Sequence, residues 1–261
     1  MMNNKNILTM IGTLLTLLSL SFAGSAHAEI ASPEEALLKA SEIRMYTQRM
    51  LKDYALVGQG IRARKAETEL RETISAFDSH MSELRSFAND DATRANLSAV
   101  NALWEKLKPE LTKAPSKNSA ENVREQSEAL MQSAAQVIDS IITANQPANS
   151  KLIRLSGRQA MLSQRIAGTY ALMAWGYQDK YRSSYENSYT DFQETMDLME
   201  GIDPVNIDAG KSDAALKKIK RQFKRVKPAK GDTFVPGLVN RSSEKLLNSI
   251  NKASTIFAGL N

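Results

Sequence analysis

The sequence predicts an all-α protein made of two tandem, antiparallel four-helix-bundle-like repeats. Three observations carry that expectation. Helix-forming residues (Ala, Leu, Lys, Glu, Gln, Arg and Met) dominate, with only 12 glycines and 7 prolines in 261 residues, and apolar residues recur at three- and four-residue spacing. The glycines and prolines fall mostly at points where one periodic run ends and the next begins. A pattern of four helical runs is followed by four more, as an internal duplication would produce.

The chain opens with Lys5, then an almost wholly apolar run over residues 7–22 without a charged residue, then Ala26-His27-Ala28. Positive start, short apolar run and small-x-small site read as a cleaved export signal over residues 1–28, which places the mature chain in a bacterial periplasm. No later apolar run reaches the length of a membrane span. Export permits disulfides, but there are no cysteines, so helix packing alone must hold the fold. Cleavage leaves His80 as the only histidine, which excludes a catalytic triad and a histidine-rich metal site. No cofactor is implied, and no carboxylate pair or glycine loop at useful spacing suggests an enzyme.

Ser32-Pro33-Glu34-Glu35 starts the first helix, with Ser32 as cap, Pro33 in the first turn and Glu35 placed to close a capping box. That helix is expected to run to about Arg64, tolerating Gly58 and Gly60. A second covers Ala66 to Phe87, with Leu70, Ile74, Phe77, Met81 and Leu84 on one stripe, and Asn89-Asp90-Asp91 turns the chain. The third spans Ala92 to Lys108 and carries Leu97, Val100, Leu103, Trp104 and Leu107. A loop over Pro109 to Asn118 precedes the fourth, from Ala120 to Ala144. Gln146-Pro147-Ala148-Asn149 separates the repeats, taken as residues 29–146 and 147–261. A long helix to Tyr181, another over Ser184 to Met199, and shorter ones over Ser212 to Val226 and Ser242 to Leu260 complete the chain.

The duplication is visible in residues. With an offset of about 116, Met45-Tyr46-Thr47-Gln48-Arg49-Met50 lies over Met161-Leu162-Ser163-Gln164-Arg165-Ile166, Tyr54-Ala55-Leu56 over Tyr170-Ala171-Leu172, and Gly60 over Gly176. The stretch Leu155 to Ile166 (LSGRQAMLSQRI) resembles the motif of the N-terminal domain of type IV pili methyl-accepting chemotaxis transducers (the PilJ-type domain). That domain is similar to the periplasmic sensor module of nitrate/nitrite sensor kinases. The resemblance implies antiparallel four-helix bundles whose motif helices meet across a dimer interface, where one arginine from each subunit holds an anion. By the same resemblance that arginine falls on Arg44 in the first copy and on Ala160 in the second, so a symmetric clamp cannot form. The first copy also has Ser41-Glu42 where the motif has Gly-Arg, and Glu42 is placed to neutralise a nearby arginine. Two fused copies can pack their motif helices together as an internal pseudo-dimer.

From Lys151 to Gln178 there is no acidic residue, while Lys151, Arg154, Arg158 and Arg165 are present. Arg158 and Arg165 share a stripe with Leu162. Ala160, Ser163, Ala167, Ala171 and Ala174 form a small-residue stripe that admits another helix closely. Arginines on so apolar a helix need a carboxylate, backbone carbonyls or a bound anion, and a planar guanidinium suits nitrate, carboxylate or phosphate oxygens. Arg44, Gln48, Arg49, Arg158, Gln164 and Arg165 are therefore the candidate ligand residues. A purely structural role for the two Gln-Arg pairs stays open beside ligand binding, whereas Met45, Met161, Tyr54 and Tyr170 read as core.

The expected function is a stand-alone sensor-type module that binds a small anion (nitrate- or nitrite-like) and reports to a membrane-bound sensor or chemoreceptor, with a homodimer compatible with the pattern. The alternative is a ligand-free helical scaffold of a pilus, chemoreceptor or envelope complex. Lys217-Lys218, Lys220-Arg221 and Lys224-Arg225, with Lys227 and Lys230, form a basic segment that reads either as a solvated helix face or as a contact for acidic lipid or an acidic partner. Nucleic acid is not an expected partner.

Overall fold

The computed structural model describes residues 29–226 and 234–260; the expected export signal lies outside them. The described residues form eight α-helices and one π-helical turn, with no strand: α1 (Pro33–Gly58), α2 (Ala63–Phe87), α3 (Asp91–Thr112), α4 (Lys117–Asn145), α5 (Ser150–Leu172), the π turn Met173–Tyr177, α6 (Gln178–Glu200), α7 (Ala209–Phe223) and α8 (Pro236–Phe257). No described helix is long and apolar enough to cross a membrane.

Most expected boundaries hold to within a few residues, and the exceptions have local causes. Ser32 caps α1 by accepting from the Glu35 amide at 3.1 Å, while the Glu35 carboxylate reaches back to the Ala31 amide at 2.9 Å. Helix α1 stops at Gly58 rather than near Arg64, because Gly60 turns into the left-handed region at φ 69°. Its counterpart Gly176, at φ 99°, does the same to the long helix expected to reach Tyr181, splitting it into α5 and α6 through the π turn. Pro109 does not end α3, which runs on to Thr112. A proline near a helix end costs one amide donor but need not stop the chain. Ser116 starts α4 through a capping box with Ser119.

Each half packs in the same order: α1 on α2 and α4, and α4 on α3; then α5 on α6 and α8, and α8 on α7. Neighbouring helices are antiparallel. Ser156 meets Ser254 and Ser163 meets Ser243 across α5 and α8, and Lys39 meets Glu83 while Glu42 meets His80 across α1 and α2. Core stripes are those expected from periodicity, with Phe77, Val100, Leu107, Leu130 and Ile141 fully buried in one half and Phe192, Ile219, Leu246, Ile250 and Phe257 in the other. Met45, Met161, Tyr54 and Tyr170 are core residues as expected.

The two halves are joined by α1 against α5, the most extensive helix pair among the described residues. These helices run parallel and in register. A Cβ on Gly157 would lie 2.5 Å from the Ser41 Cβ, and one on Gly168 would lie 3.5 Å from the Lys52 Cα. Both pairs are separated by 116 residues, so equivalent positions of the two motif helices face each other. The small stripe of Ala160, Ser163, Ala167 and Ala171 is buried as well, with Ser163 turned toward Ser243 of α8. At Gly157 the close approach itself demands glycine. Gly157→Ala is expected to lower stability by about 1–3 kcal/mol through overpacking, and Ser41→Gly in the same chain to restore most of it. Thermal melts of the single and double variants check this; an unshifted single variant would mean the helices stand further apart.

Candidate functional site

The seam brings charged residues from four helices together around Arg44. Its guanidinium is partly buried and has no carboxylate partner among the described residues, and its Nε is buried without a hydrogen-bond acceptor. Burial pushes the Arg44 guanidinium down to about 10, assisted by the positive charges of Arg158, Arg154 and Arg165 and opposed by Asp139. The other three arginines each hold an acid: Arg154 with Asp139 of α4 at 2.9 Å, Arg158 with Asp191 of α6 at 3.2 Å, and Arg165 with Glu128 of α4 at 3.2 Å. Four guanidiniums thus share three carboxylates. The unbalanced charge falls on Arg44, the most enclosed of the three that lie at this end of the seam. A polar groove of about 540 Å³ opens beside Arg165 and Asp191.

Arg49 sits one turn and a residue past Arg44 and belongs to a different cluster. It reaches Glu244 of α8 at 3.2 Å. Its counterpart Arg165 reaches Glu128, and Glu128 and Glu244 are themselves 116 residues apart. Each motif arginine therefore crosses the seam to a glutamate on the last helix of the other half. The tyrosines repeat the 116-residue offset but stay within their own halves: Tyr54 bonds Ser119 at 2.7 Å, and Tyr170 accepts from the amide of Val235 at 3.0 Å. Glu42, which the sequence places to neutralise a nearby arginine, pairs with none among the described residues and instead bonds His80 at 2.7 Å, because α2 brings that ring alongside.

Gln48 and Gln164 do not pair with their neighbouring arginines. Both side chains are buried, since their positions face the seam while Arg49 and Arg165 lean toward its edges. The Gln164 amide donates weakly to Ser243 at 3.3 Å, leaving its Oε1 without a donor, and the Gln48 Nε2 has no acceptor. The six sequence-selected residues thus divide: Arg44 and Arg158 lie at one level of the seam, Arg49 and Arg165 form the two cross-seam ion pairs, and the two glutamines fill the middle.

Sequence reasoning missed the acids Glu128, Glu244, Asp139 and Asp191, and the buried pair Lys52 and Asp53. The glutamates carried a readable signal, Ser127-Glu128-Ala129-Leu130 over Ser243-Glu244-Lys245-Leu246 at the same offset. Lys52 and Asp53 carried none, because charged neighbours on a helix are ordinarily solvated. Here both side chains are fully buried, with 3.2 Å between Lys52 Nζ and Asp53 Oδ1. Lys52 also holds Glu244, and Lys52 and Arg49 keep the Glu244 carboxyl below its usual range against the opposing effect of burial. Burial dominates at Asp53 and raises its carboxyl to about 6, despite Lys52 and Arg49.

The all-α bundle with an arginine-lined seam can hold a small anion or simply hold itself together. Residues 34–133 match the family model described as PilJ, type IV pili methyl-accepting chemotaxis transducer N-term. The matched stretch takes in α1, α2, α3 and the first part of α4, and with them Arg44, Gln48 and Arg49. No curated protein and no solved structure matches the chain.

Two outcomes are expected from the buried cluster. Glu244→Ala should cost about 3–5 kcal/mol, because it strips the buried Lys52 of a counter-charge, whereas Glu128→Ala should cost about 1 kcal/mol or less, since it leaves no fully buried cation and Arg165 still reaches solvent. Chemical denaturation of both variants checks the contrast. The raised Asp53 carboxyl binds its proton more tightly in the folded state than in the unfolded chain. Its contribution to stability is therefore greatest at acidic pH and is lost as pH rises from its ordinary value through about 6. Asp53→Asn should accordingly gain stability relative to the parent between pH 5 and pH 7.5; a difference that does not change across that window would contradict the assignment.

Proposed function

We propose that this protein is a periplasmic sensor-type module that binds a small oxyanion, nitrate or nitrite in class, at the Arg44 end of the seam and reports to a membrane-bound signalling partner. The observation that carries the reading is Arg44: an enclosed guanidinium with an unpartnered Nε, pressed by three further arginines and lacking a carboxylate partner among the described residues. An anion placed there supplies the missing counter-charge and accepts the orphaned Nε–H. Arg158, anchored on the facing helix, is the second donor within the same field, so the clamp is asymmetric, with Arg44 from the first half and Arg158 from the second. The match over residues 34–133 supports a chemotaxis-transducer-like signalling role and no enzyme activity. The second half, read as a diverged copy of the same domain, supplies the helix that a second subunit would supply in a dimer.

Arg158 also bonds Asp191 of α6, so an anion that draws Arg158 away loosens the tie between α5 and α6. That gives the site a mechanical readout within one chain. The competing reading, a ligand-free scaffold of the cell envelope, draws support from the carboxylates that already satisfy Arg49, Arg154 and Arg165.

A thermal-shift titration with nitrate, nitrite, phosphate, sulfate and small carboxylates at constant ionic strength separates the two readings. A saturable rise in melting temperature is expected for one of these anions, about 2.7 kcal/mol of added stability at a hundredfold excess over Kd. Arg44→Gln should abolish the rise while leaving the unliganded protein no less stable than the parent. A flat response to every anion would assign the arginines to packing alone.

A further inference from the structure

The two halves share one fold, so each serves as a control for the other. In the first half α3 and α4 carry five basic residues against seven acids; in the second, α7 and α8 occupy the same places with eight basic residues against two acids. Packing does not demand that difference. Val100 and Leu107 of α3 are buried at the positions that Leu216 and Phe223 occupy in α7, so both outer helices dock through the same apolar stripe. The excess positive charge sits on the opposite face: Lys211, Lys217, Lys218, Lys220 and Arg221 are exposed, as are Lys224 and Arg225 just beyond the helix and Arg241, Lys245 and Lys252 on α8. Among the described residues, only Lys220 of these has a carboxylate partner, Glu200 at 2.9 Å. Like charges crowded on one surface repel and lower stability, so a helix that needs only its apolar stripe gains nothing structural from them.

We propose that the α7–α8 face is a docking surface for an anionic phospholipid membrane. Its charges are mostly lysines on long stems, spread over two helices. That arrangement suits a planar, fluid array of negative headgroups better than the fixed acids of a folded partner. Exposed aliphatic side chains lie where α8 begins: Val235 is 43 % exposed and Leu238 53 %. Because α7 runs antiparallel to α6, through Lys220 on Glu200 and Phe223 on Phe192, and α8 runs antiparallel to α5, its C-terminal Lys224 and Arg225 lie at this same end of the bundle. Basic and apolar groups side by side let the face attract headgroups and also insert shallowly. Helix α7 keeps its own apolar stripe on the bundle, so docking requires no unfolding. The face is distinct from the seam around Arg44 and does not depend on an anion there.

Sedimentation of the protein with vesicles tests this. Vesicles of phosphatidylcholine with about one-third phosphatidylglycerol should carry the protein down at low salt, pure phosphatidylcholine should not, and salt sufficient to shorten the screening length from about 10 Å to about 3 Å should release it. Lys217→Glu, Lys218→Glu and Arg221→Glu together should weaken the partition more than about tenfold. The same reversal at Lys106→Glu and Lys108→Glu on α3 should leave it within about twofold. All five positions are on outer helices, and circular dichroism melts verify that both variants fold. No sedimentation with the anionic vesicles, or an equal loss in the α3 variant, overturns the proposal; capture of an acidic soluble protein by the same face without vesicle binding would reassign it to a protein partner.

Discussion

The structure depends on the close, in-register packing of α1 against α5. Gly157 and Gly168 let two helix backbones come within side-chain distance of each other, and at both glycines α5 faces the α1 residue 116 positions away, Ser41 and Lys52. Two long helices packed this tightly exclude water along much of their length, so polar residues caught between them must find partners within the protein. The crossed arginine–glutamate pairs, the buried glutamines and the lysine cluster are all consequences of that exclusion.

The same packing accounts for where the symmetry fails. Perfect duplicates would place identical charges opposite each other in a region of low polarisability, an arrangement that repels. The chain instead sets Lys52 against Gly168, Ser41 against Gly157 and Arg44 against Ala160. In each case the larger or charged residue lies on α1 and the smaller one on α5. The lysine is then neutralised by Glu244, whereas Arg44 is not neutralised by any described carboxylate. That contrast separates a charge cluster that ties the halves together from a guanidinium left without a counter-charge among the described residues.

Much of the fold was legible in the sequence because helix periodicity, capping residues and the repeat are all local or linear signals. Ser32 marks a start that the structure also marks, whereas Gly60 and Gly176, through which the sequence predicts both long helices to run, break them, and Ser116, which it predicts in a loop, caps α4. The repeat and the family resemblance suggest that the motif helices can pair, and the structure packs them together. Candidate-site residues were legible only as types. Sequence placed Arg44, Arg49, Arg158 and Arg165 on the motif helices but not their acids, since Glu128, Asp139, Asp191 and Glu244 come from helices whose rotation against the seam no linear pattern specifies. Glu42 illustrates the limit: it lies two residues from Arg44 yet turns to His80 on the neighbouring helix.

By itself, then, the sequence determined most of the helices, their order, the 116-residue offset between like positions and which helix of each half is central, because each follows from spacing along one chain. Only the tertiary structure decided which arginines are neutralised and which one is left over. Charge balance in a buried seam depends on distances between residues far apart in sequence, and a difference of a few ångströms separates a satisfied ion pair from an orphaned guanidinium.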